Sequence, residues 1–117
     1  PQVALIRDDL NALDLHQLLL LKALINLSKR SPNDFFSMGR LEEEYRNVCS
    51  SYNQQPRRHT QVFEYIRKLR HMGLVNTRAS GKGMRGRTTL ISLALSGSQD
   101  LENLIEEAIN AKLSGRE

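Results

Sequence analysis

The order of apolar and polar positions along the chain predicts five helices and one β-hairpin. The stretch between Asp14 and about Ser28 is apolar at nearly every position, which is typical of a helix that is buried on all sides. Asp14 and Gln17 have the spacing of a capping box, so we expect this helix to begin there. A weaker periodic stretch, Gln2 to Asn11, predicts a short helix before it.

Two more helices are expected in the middle of the chain. An apolar stripe at helical spacing predicts a helix over Gly39 to Tyr52, and the polar stretch up to Pro56 breaks it. The next helix is expected from about Arg57 to Met72, ended by a glycine. The acidic run Glu42 to Glu44 lies near the start of the first of these helices, where it suits the helix dipole and needs no functional explanation.

The periodicity then changes to two residues, which indicates strands. Leu74 to Ala79 and Thr88 to Leu93 are expected to form a hairpin, whose loop, Ser80 to Arg87, is rich in glycine and basic residues. A very short strand is expected at Phe35 to Ser37.

The chain closes with an amphipathic pattern over Leu101 to Leu113, for which Ser96 or Ser98 is the expected N-cap. This order of elements is that of a winged helix-turn-helix. The predicted fold class is therefore mainly α with a small β-hairpin: a winged helix-turn-helix with an additional C-terminal helix.

The positive charge of the chain is concentrated in one segment. The formal net charge is +4, yet residues 54–90 hold nine Lys and Arg against one acid, Glu64, a net charge of +8. The other 80 residues carry a net charge of −4. Such a concentrated basic field indicates a protein that binds the phosphate backbone of nucleic acid, although a solvated charged surface is the other interpretation.

One face of the fourth helix is apolar and the opposite face is basic or neutral polar. Val62, Ile66 and Leu69 form the expected core stripe, with Tyr65 beside them. A recognition helix enters the major groove with its N-terminus first, so base contacts are expected from the residues of its first turns: Arg57, Arg58, Thr60 and Gln61. Phosphate contacts are expected from residues further along: Arg67, Lys68 and His71.

The acid on this helix, Glu64, has two interpretations. It either accepts a hydrogen bond from a cytosine amino group or pairs with Lys68 four residues on, and we favour the pair.

The hairpin loop matches the dinucleotide-binding pattern G-x-G-x-x-G between Gly81 and Gly86. In that motif the glycines open a helix whose N-terminus holds the pyrophosphate, whereas a strand is expected here, so we do not expect nucleotide binding. We expect instead a thin basic wing whose DNA-contacting residues are Lys82, Gly83, Met84, Arg85, Gly86 and Arg87.

No catalytic or metal-binding pattern accompanies these elements. His16, His59 and His71 have no metal-ligand spacing, and Cys49 has no second cysteine to pair with, so a packing role in its helix is expected. No Walker or nucleophile-elbow motif occurs. The single cysteine favours an intracellular protein, and no apolar run reaches the length of a membrane span.

Several strings of the sequence occur in a familiar order. The most specific are Met72-Gly73-Leu74-Val75 and Gly83-Met84-Arg85-Gly86-Arg87-Thr88, and Leu13 to Gln17, Glu43-Glu44-Tyr45, Cys49 and Pro56 agree with them. Together they resemble the C-terminal domain of archaeal replication initiators, the origin-recognition and cell-division-control family of AAA+ ATPases. The resemblance covers roughly residues 5–93. It implies a winged-helix domain that binds double-stranded DNA at replication origins, with the recognition helix in the major groove and the wing in the minor groove.

The resemblance also implies an organisation for the chain. Residues 1–12 would be the end of a preceding lid or linker helix, 13–95 the winged-helix DNA-binding domain, and 96–117 the C-terminal amphipathic helix. ATP and magnesium are expected only in an ATPase module outside this chain, so no cofactor and no enzymatic activity are expected here. The expected partners are origin DNA and either the replicative helicase or other initiator subunits, with no membrane, in a cytoplasmic, nucleoid-associated protein.

The sequence departs from the family pattern at two places. The family often has a threonine where Met38 stands, and a methionine cannot cap a helix. The first turn of the recognition helix carries Arg57-Arg58-His59-Thr60-Gln61, so the base sequence that it reads is not carried over from the family.

The alternative function is a winged-helix transcriptional regulator that dimerises through its terminal helices. A winged helix that binds only protein is the third interpretation, which the basic segment opposes.

Overall fold

The computed structural model of the chain describes residues 2–32, 34–80, 89–94 and 99–115. Within these ranges the expected fold class is confirmed, a mainly helical winged helix with a small antiparallel sheet and an additional C-terminal helix. The elements are α1 (Gln2–Asn11), α2 (Leu15–Arg30), β1 (Phe36–Ser37), α3 (Met38–Ser51), α4 (His59–His71), β2 (Val75–Ala79), β3 (Thr89–Leu93) and α5 (Gln99–Leu113). The hairpin loop at 81–88 and the expected caps Ser96 and Ser98 lie outside the described residues.

Helix α2 is the centre of the core. Its buried residues run without interruption from His16 to Leu21 and continue to Leu27, and α3, α4, α5 and β3 all pack against it. Both halves of the expected capping box are present, because the Asp14 side chain accepts the Gln17 N–H at 2.9 Å and the Gln17 side chain accepts the Asp14 N–H at 3.0 Å. An N-cap of this kind stabilises a helix by about 1 kcal/mol.

The strands form one antiparallel sheet in the order β1-β3-β2. Ile91 of β3 is its central residue, with Thr77 of β2 opposite on one side and Phe36 of β1 on the other. The very short strand expected near Phe36 is therefore present, and it joins the wing strands to the segment that leads into α3. Arg78 of β2 adds a further tie, since its guanidinium lies 4.1 Å from the centre of the Phe35 ring.

Helices α3 and α4 end with the same hydrogen-bonding motif. At the end of α3, Asn53 has a φ of 58°, and the N–H of Gln54 donates to the carbonyl of Cys49 at 2.8 Å. At the end of α4, Gly73 has a φ of 81°, and the N–H that follows it donates to the carbonyl of Leu69 at 2.9 Å. Both are Schellman motifs with a left-handed residue, which reverse the chain sharply. They fix where the chain leaves each helix of the helix-turn-helix.

The starts of α3 and α4 differ from the expectation. Helix α3 begins at Met38, and the residue before it supplies the cap: the hydroxyl of Ser37 accepts the N–H of Arg40 at 3.1 Å. The departure from the family pattern at position 38 therefore costs the helix no cap. Helix α4 begins at His59, two residues later than expected, because Arg58 has extended backbone angles.

Helix α5 lies with its apolar face against α2 and α1, and an ion-pair network centred on the largely buried Lys22 and Glu102 holds it there. Lys22 of α2 donates to Glu102 at 2.8 Å and to Glu106 at 2.6 Å, and Lys29 donates to Glu102 at 3.1 Å. Hydrogen bonds from the two lysines lower the pKa of Glu102. Burial alone would lower the pKa of Lys22, but its bonds to the glutamates raise it. The apolar face that a dimer through this helix would use is already covered within the chain.

Among the residues that the structure describes, no helix is both long and apolar enough to cross a membrane.

Replacing Glu102 by glutamine should destabilise the fold, because Lys22 would stay largely buried with only the more exposed Glu106 as a carboxylate partner. We expect the free energy of unfolding at pH 7 to fall by about 1–3 kcal/mol, measured by urea titration. The pKa of Glu102 is lower in the folded state than its ordinary value of 4.5. Its contribution is therefore fully present above that value and is lost as the pH falls through the folded-state pKa. The difference between the two proteins should shrink in acid.

Glu106→Gln is the matched control for this prediction. Its side chain is 42% exposed, against 8% for Glu102, so water can replace much of what the carboxylate offers Lys22. A loss of stability as large as that of Glu102→Gln would contradict the role assigned to burial.

Candidate nucleic-acid interface

The two faces of α4 differ as the sequence predicts. The core stripe is confirmed, since Val62, Tyr65, Ile66 and Leu69 are buried. The structure places the seven predicted contact residues of this region on the surface: Arg57, Arg58, Thr60, Gln61, Arg67, Lys68 and His71. Arg57 and Arg58 precede the helix, so they extend from the segment that leads into α4 and not from its outer face.

An open groove runs along the second half of α4. It is lined by Glu64, Arg67, Lys68, Arg70 and His71. Arg70 was not assigned a contact from the sequence, although its position in a basic last turn was a usable signal. The second half of α4 therefore presents four basic or potentially basic side chains around one acid.

Glu64 pairs with Arg67, at 3.4 Å between Oε2 and NH1, and not with Lys68 as expected. Both side chains are about two-thirds exposed, so the pair contributes little to stability and leaves Arg67 available to a ligand. Three other cations of the segment, Arg58, Lys68 and Arg70, have no ion-pair partner within the described part of the chain. Their charge is directed to solvent.

The approach to α4 is held by a buried tyrosine of α3. The hydroxyl of Tyr45 accepts the backbone N–H of Arg57 at 2.8 Å and lies 2.8 Å from Nδ1 of His16. Tyr45 is 1% exposed, and burial raises the pKa of its hydroxyl. Because Arg57 stands two residues before α4, this hydrogen bond fixes the point from which the helix departs.

His16 is the second partner of Tyr45 and a buried residue of the first turn of α2. Burial, and then the charge of Arg57, lower its pKa, so the neutral imidazole is the stable form at neutral pH. A neutral ring can accept the hydroxyl hydrogen of Tyr45 at Nδ1 while that oxygen accepts the Arg57 N–H. Helix α2, helix α3 and the segment before α4 thus meet at the hydroxyl of Tyr45.

Cys49 lies beside this hydroxyl on the same helix. Its side chain lies close to that of Tyr45, and burial raises the pKa of the thiol. A buried thiol with a raised pKa is unreactive, which agrees with the expected packing role.

A second tyrosine lies beside two of the predicted base-contact residues, Arg57 and Gln61. Burial raises the pKa of the Tyr65 hydroxyl, and the neighbouring side chains of Arg57 and Gln61 act in the opposite direction. The Tyr65 hydroxyl is therefore close to both side chains at the first turn of α4.

The acidic run of α3 has specific contacts that the sequence did not reveal. Because α3 begins at Met38, none of these glutamates lies in its first turn, so the helix dipole does not explain them. Oε1 of Glu42 lies 2.7 Å from Nδ1 of His59, the first residue of α4. Glu44 is buried and accepts a hydrogen bond from Asn26 of α2 at 3.1 Å. These two carboxylates connect α3 to the helices on either side of it.

The predicted wing contacts Lys82, Gly83, Met84, Arg85, Gly86 and Arg87 lie outside the described residues. The strands that lead to this loop, β2 and β3, are paired from end to end. Within the described residues no group of His, Cys, Asp and Glu side chains could hold a metal ion.

The chain is similar to known proteins over most of its length. Residues 8–103 match the family model described as CDC6, C terminal winged helix domain. The ORC1-type DNA replication protein 2 of Sulfurisphaera tokodaii is 57% identical over 113 residues, which are 97% of this chain and 27% of the relative. That of Saccharolobus solfataricus is 52% identical over 99% of this chain and 28% of the relative. The chain thus spans about a quarter of the length of these relatives.

Solved structures agree with the sequence relatives. Cdc6p from Pyrobaculum aerophilum superposes with a TM-score of 0.79 at 34% identity, over 92% of this chain and 26% of that one. The Aeropyrum pernix ORC1 protein, solved in complex with DNA, superposes with a TM-score of 0.76 at 25% identity, over 92% of this chain and 28% of that one. The chain therefore belongs to the family of archaeal Cdc6 and ORC1-type replication proteins, of which it is the C-terminal winged helix domain.

Proposed function

We propose that this domain binds double-stranded DNA at replication origins, with α4 in the major groove and the basic wing in the minor groove. The observation that carries the proposal is the exposed basic surface of α4 and of the residue before it, where Arg58, Lys68 and Arg70 have no ion-pair partner among the described residues. Cations of other elements, such as Lys22 and Arg7, are paired with acids of α5. The relative from Aeropyrum pernix that was solved with DNA supports the same reading.

The first turns of α4 are proposed to contact bases. Thr60 and Gln61 lie there, and Arg57 and Arg58 precede them on the surface. The side chain of Arg58, the N-cap residue of α4, makes no capping hydrogen bond to the helix. Side chains at the N-terminal end of a recognition helix reach base edges most readily.

The second half of α4 is proposed to contact phosphates. Arg67, Lys68, Arg70 and His71 line one open groove, and long cationic side chains along a helix suit a curved row of phosphates. Glu64 lies in the same groove, and its negative charge would repel a phosphate. Its pairing with Arg67 reduces this repulsion, so we propose that the pair is kept in the complex with DNA.

The wing is proposed to enter the minor groove through Lys82, Arg85 and Arg87, with Gly83, Met84 and Gly86 forming its tip. Arginine in a narrow minor groove is favoured by the negative potential of A·T-rich DNA. The paired strands β2 and β3 provide a rigid base for such a loop.

The remaining functions belong to proposals about the whole protein. The Aeropyrum pernix ORC2 protein was solved in ADPNP and ADP complexes, and this chain covers 26% of it. We place ATP and magnesium in the part of such proteins that this chain does not cover. The replicative helicase or other initiator subunits are the proposed protein partners, and the proposed location is the nucleoid. The division into 1–12, 13–95 and 96–117 also stays a prediction.

Binding to duplex DNA should depend strongly on salt. If about five phosphates are engaged, the logarithm of the binding constant should fall against the logarithm of salt concentration with a slope of roughly −4 to −5. Fluorescence anisotropy titrations over a range of salt concentrations measure this slope. A slope near zero would remove the electrostatic basis of the proposal.

Arg67→Ala should weaken binding almost equally on every sequence and reduce the salt slope by about one unit, because it removes one phosphate contact. Thr60→Ala and Gln61→Ala should instead reduce the preference for the selected sequence over a scrambled one. Arg7→Ala is the matched control, since Arg7 is an exposed arginine paired with Glu107 of α5. If Arg67→Ala behaves as Arg7→Ala does, α4 does not lie along the phosphates.

Arg85→Ala should weaken binding by about 1–3 kcal/mol if the side chain sits in the minor groove. It should also reduce any preference for A·T-rich flanks. Titrations on A·T-rich and G·C-rich flanked duplexes, with a minor-groove drug as competitor, test both effects. Wild-type binding by the variant, or failure of the drug to compete, would show that the wing is a solvated loop.

A further inference from the structure

Phe63 places an aromatic ring on the exposed side of the helix proposed to enter the major groove. Its side chain is 37% exposed, and among the described residues Leu113 at the end of α5 is the other large apolar residue so exposed. Single apolar residues on a protein surface are common, so exposure alone assigns no role to Phe63. The role of Phe63 is inferred instead from its neighbouring side chains and from its position on α4.

The ring of Phe63 is supported from α3 through two side chains. Glu42 is well covered, with 13% of its side chain exposed, and it holds Nδ1 of His59 at 2.7 Å. The His59 ring in turn lies with its centre 6.4 Å from that of Phe63, tilted by 31°. This separation is within the range at which aromatic rings attract each other. The series from Glu42 to Phe63 therefore limits the orientations open to the phenyl ring.

Phe63 also shares a row with residues already proposed to contact DNA. Thr60, Phe63 and Arg67 are spaced at i, i+3 and i+7, so they follow one another along the same side of α4. Phe63 thus stands between a residue proposed to touch a base and one proposed to touch a phosphate. A groove-bound α4 brings the phenyl ring against base edges.

The major groove offers one apolar group to such a ring. The edges of the bases there consist of hydrogen-bond donors and acceptors, except for the 5-methyl group of thymine. A phenyl ring can form no hydrogen bond with the polar groups, and it would remove their water without replacing it. Against thymine, in contrast, it removes the methyl group from water.

We propose that Phe63 contacts the 5-methyl group of a thymine in the major groove and thereby selects that base at one position of the bound sequence. Glu42 and His59 act as positioning residues for the ring. The proposal rests on the proposed function, because it requires α4 to lie in the major groove.

The test begins with selection of duplexes from a randomised pool by the wild-type chain and by Phe63→Ala. The wild-type selection should contain a constant thymine that is no longer constant in the variant selection, while the other constant positions remain. Each thymine of the wild-type sequence is then replaced in turn by deoxyuridine, which lacks only the methyl group. At that one thymine the replacement should weaken wild-type binding about fourfold, the factor expected for one methyl group removed from water.

The decisive measurement is the coupling between the methyl group and the ring. Phe63→Ala should bind the thymine and deoxyuridine duplexes equally, whereas Phe63→Leu, which keeps an apolar side chain, should retain part of the difference. Glu42→Gln should reduce the difference without changing the salt slope, a result that general destabilisation would not produce. Leu113→Ala is the control for loss of an exposed apolar residue and should keep the full fourfold difference.

The outcomes separate this proposal from the proposed function. If the chain selects no duplex and shows no salt-dependent binding, DNA binding itself fails. If it binds and Phe63→Ala remains as sensitive to deoxyuridine as the wild type, or no thymine is sensitive, the contact with thymine is refuted while DNA binding stands. A general loss of affinity in Phe63→Ala with no change in methyl sensitivity refutes it too, and indicates an apolar contact with a partner other than the base.

Discussion

The burial of α2 on all sides is the constraint on which the rest of this domain depends. A helix that is apolar nearly all round must be surrounded, and α3, α4, α5 and β3 each supply part of the cover. The surface that binds DNA in the proposal is the outer side of one of these covering elements. Its position relative to the wing therefore follows from how α4 and β3 share the surface of α2.

Apolar packing holds these layers together, but polar contacts fix the direction in which the recognition helix leaves α3. Schellman motifs at Asn53 and Gly73 end the two helices at defined residues. Between them, the Tyr45 hydroxyl binds the backbone of Arg57 and the ring of His16. Buried hydrogen bonds are directional where apolar contacts are not, so they are suited to setting an angle. The hydrogen bond from the Arg57 N–H to the Tyr45 hydroxyl therefore helps to set the orientation of the first turn of α4.

The acidic residues of α5 and the basic residues of α4 have separate roles in the domain. The acids of α5 are used inside the domain, where Glu102 binds Lys22 and Lys29 and fastens the C-terminal helix to α2. The basic residues of α4 face solvent, and Glu64 is the acid among them. This separation leaves a field of one sign on the proposed DNA-binding side, which favours rapid association with a polyanion. Helix α5 thus contributes a partly buried ion-pair network to the fold, and its apolar face is covered within the chain.

The sequence by itself determined the elements, the core stripe of α4 and the family. These follow from periodicity, from local turn residues such as Gly73 and from short strings, all of which act within a few residues of the chain. The start of α4 was placed two residues early, because the extended backbone of Arg58 belongs to a turn that tertiary contacts hold. The partner of Glu64 was also wrong, since the choice between residues three and four positions away depends on side-chain rotamers.

Two polar pairs depend on the tertiary structure alone. Glu42 and His59 are 17 residues apart in the chain, and His16 and Tyr45 are 29 residues apart, so no periodic pattern relates the members of either pair. The sequence thus decides which segments are helices and which faces are apolar, whereas the packing of those faces decides which polar side chains meet.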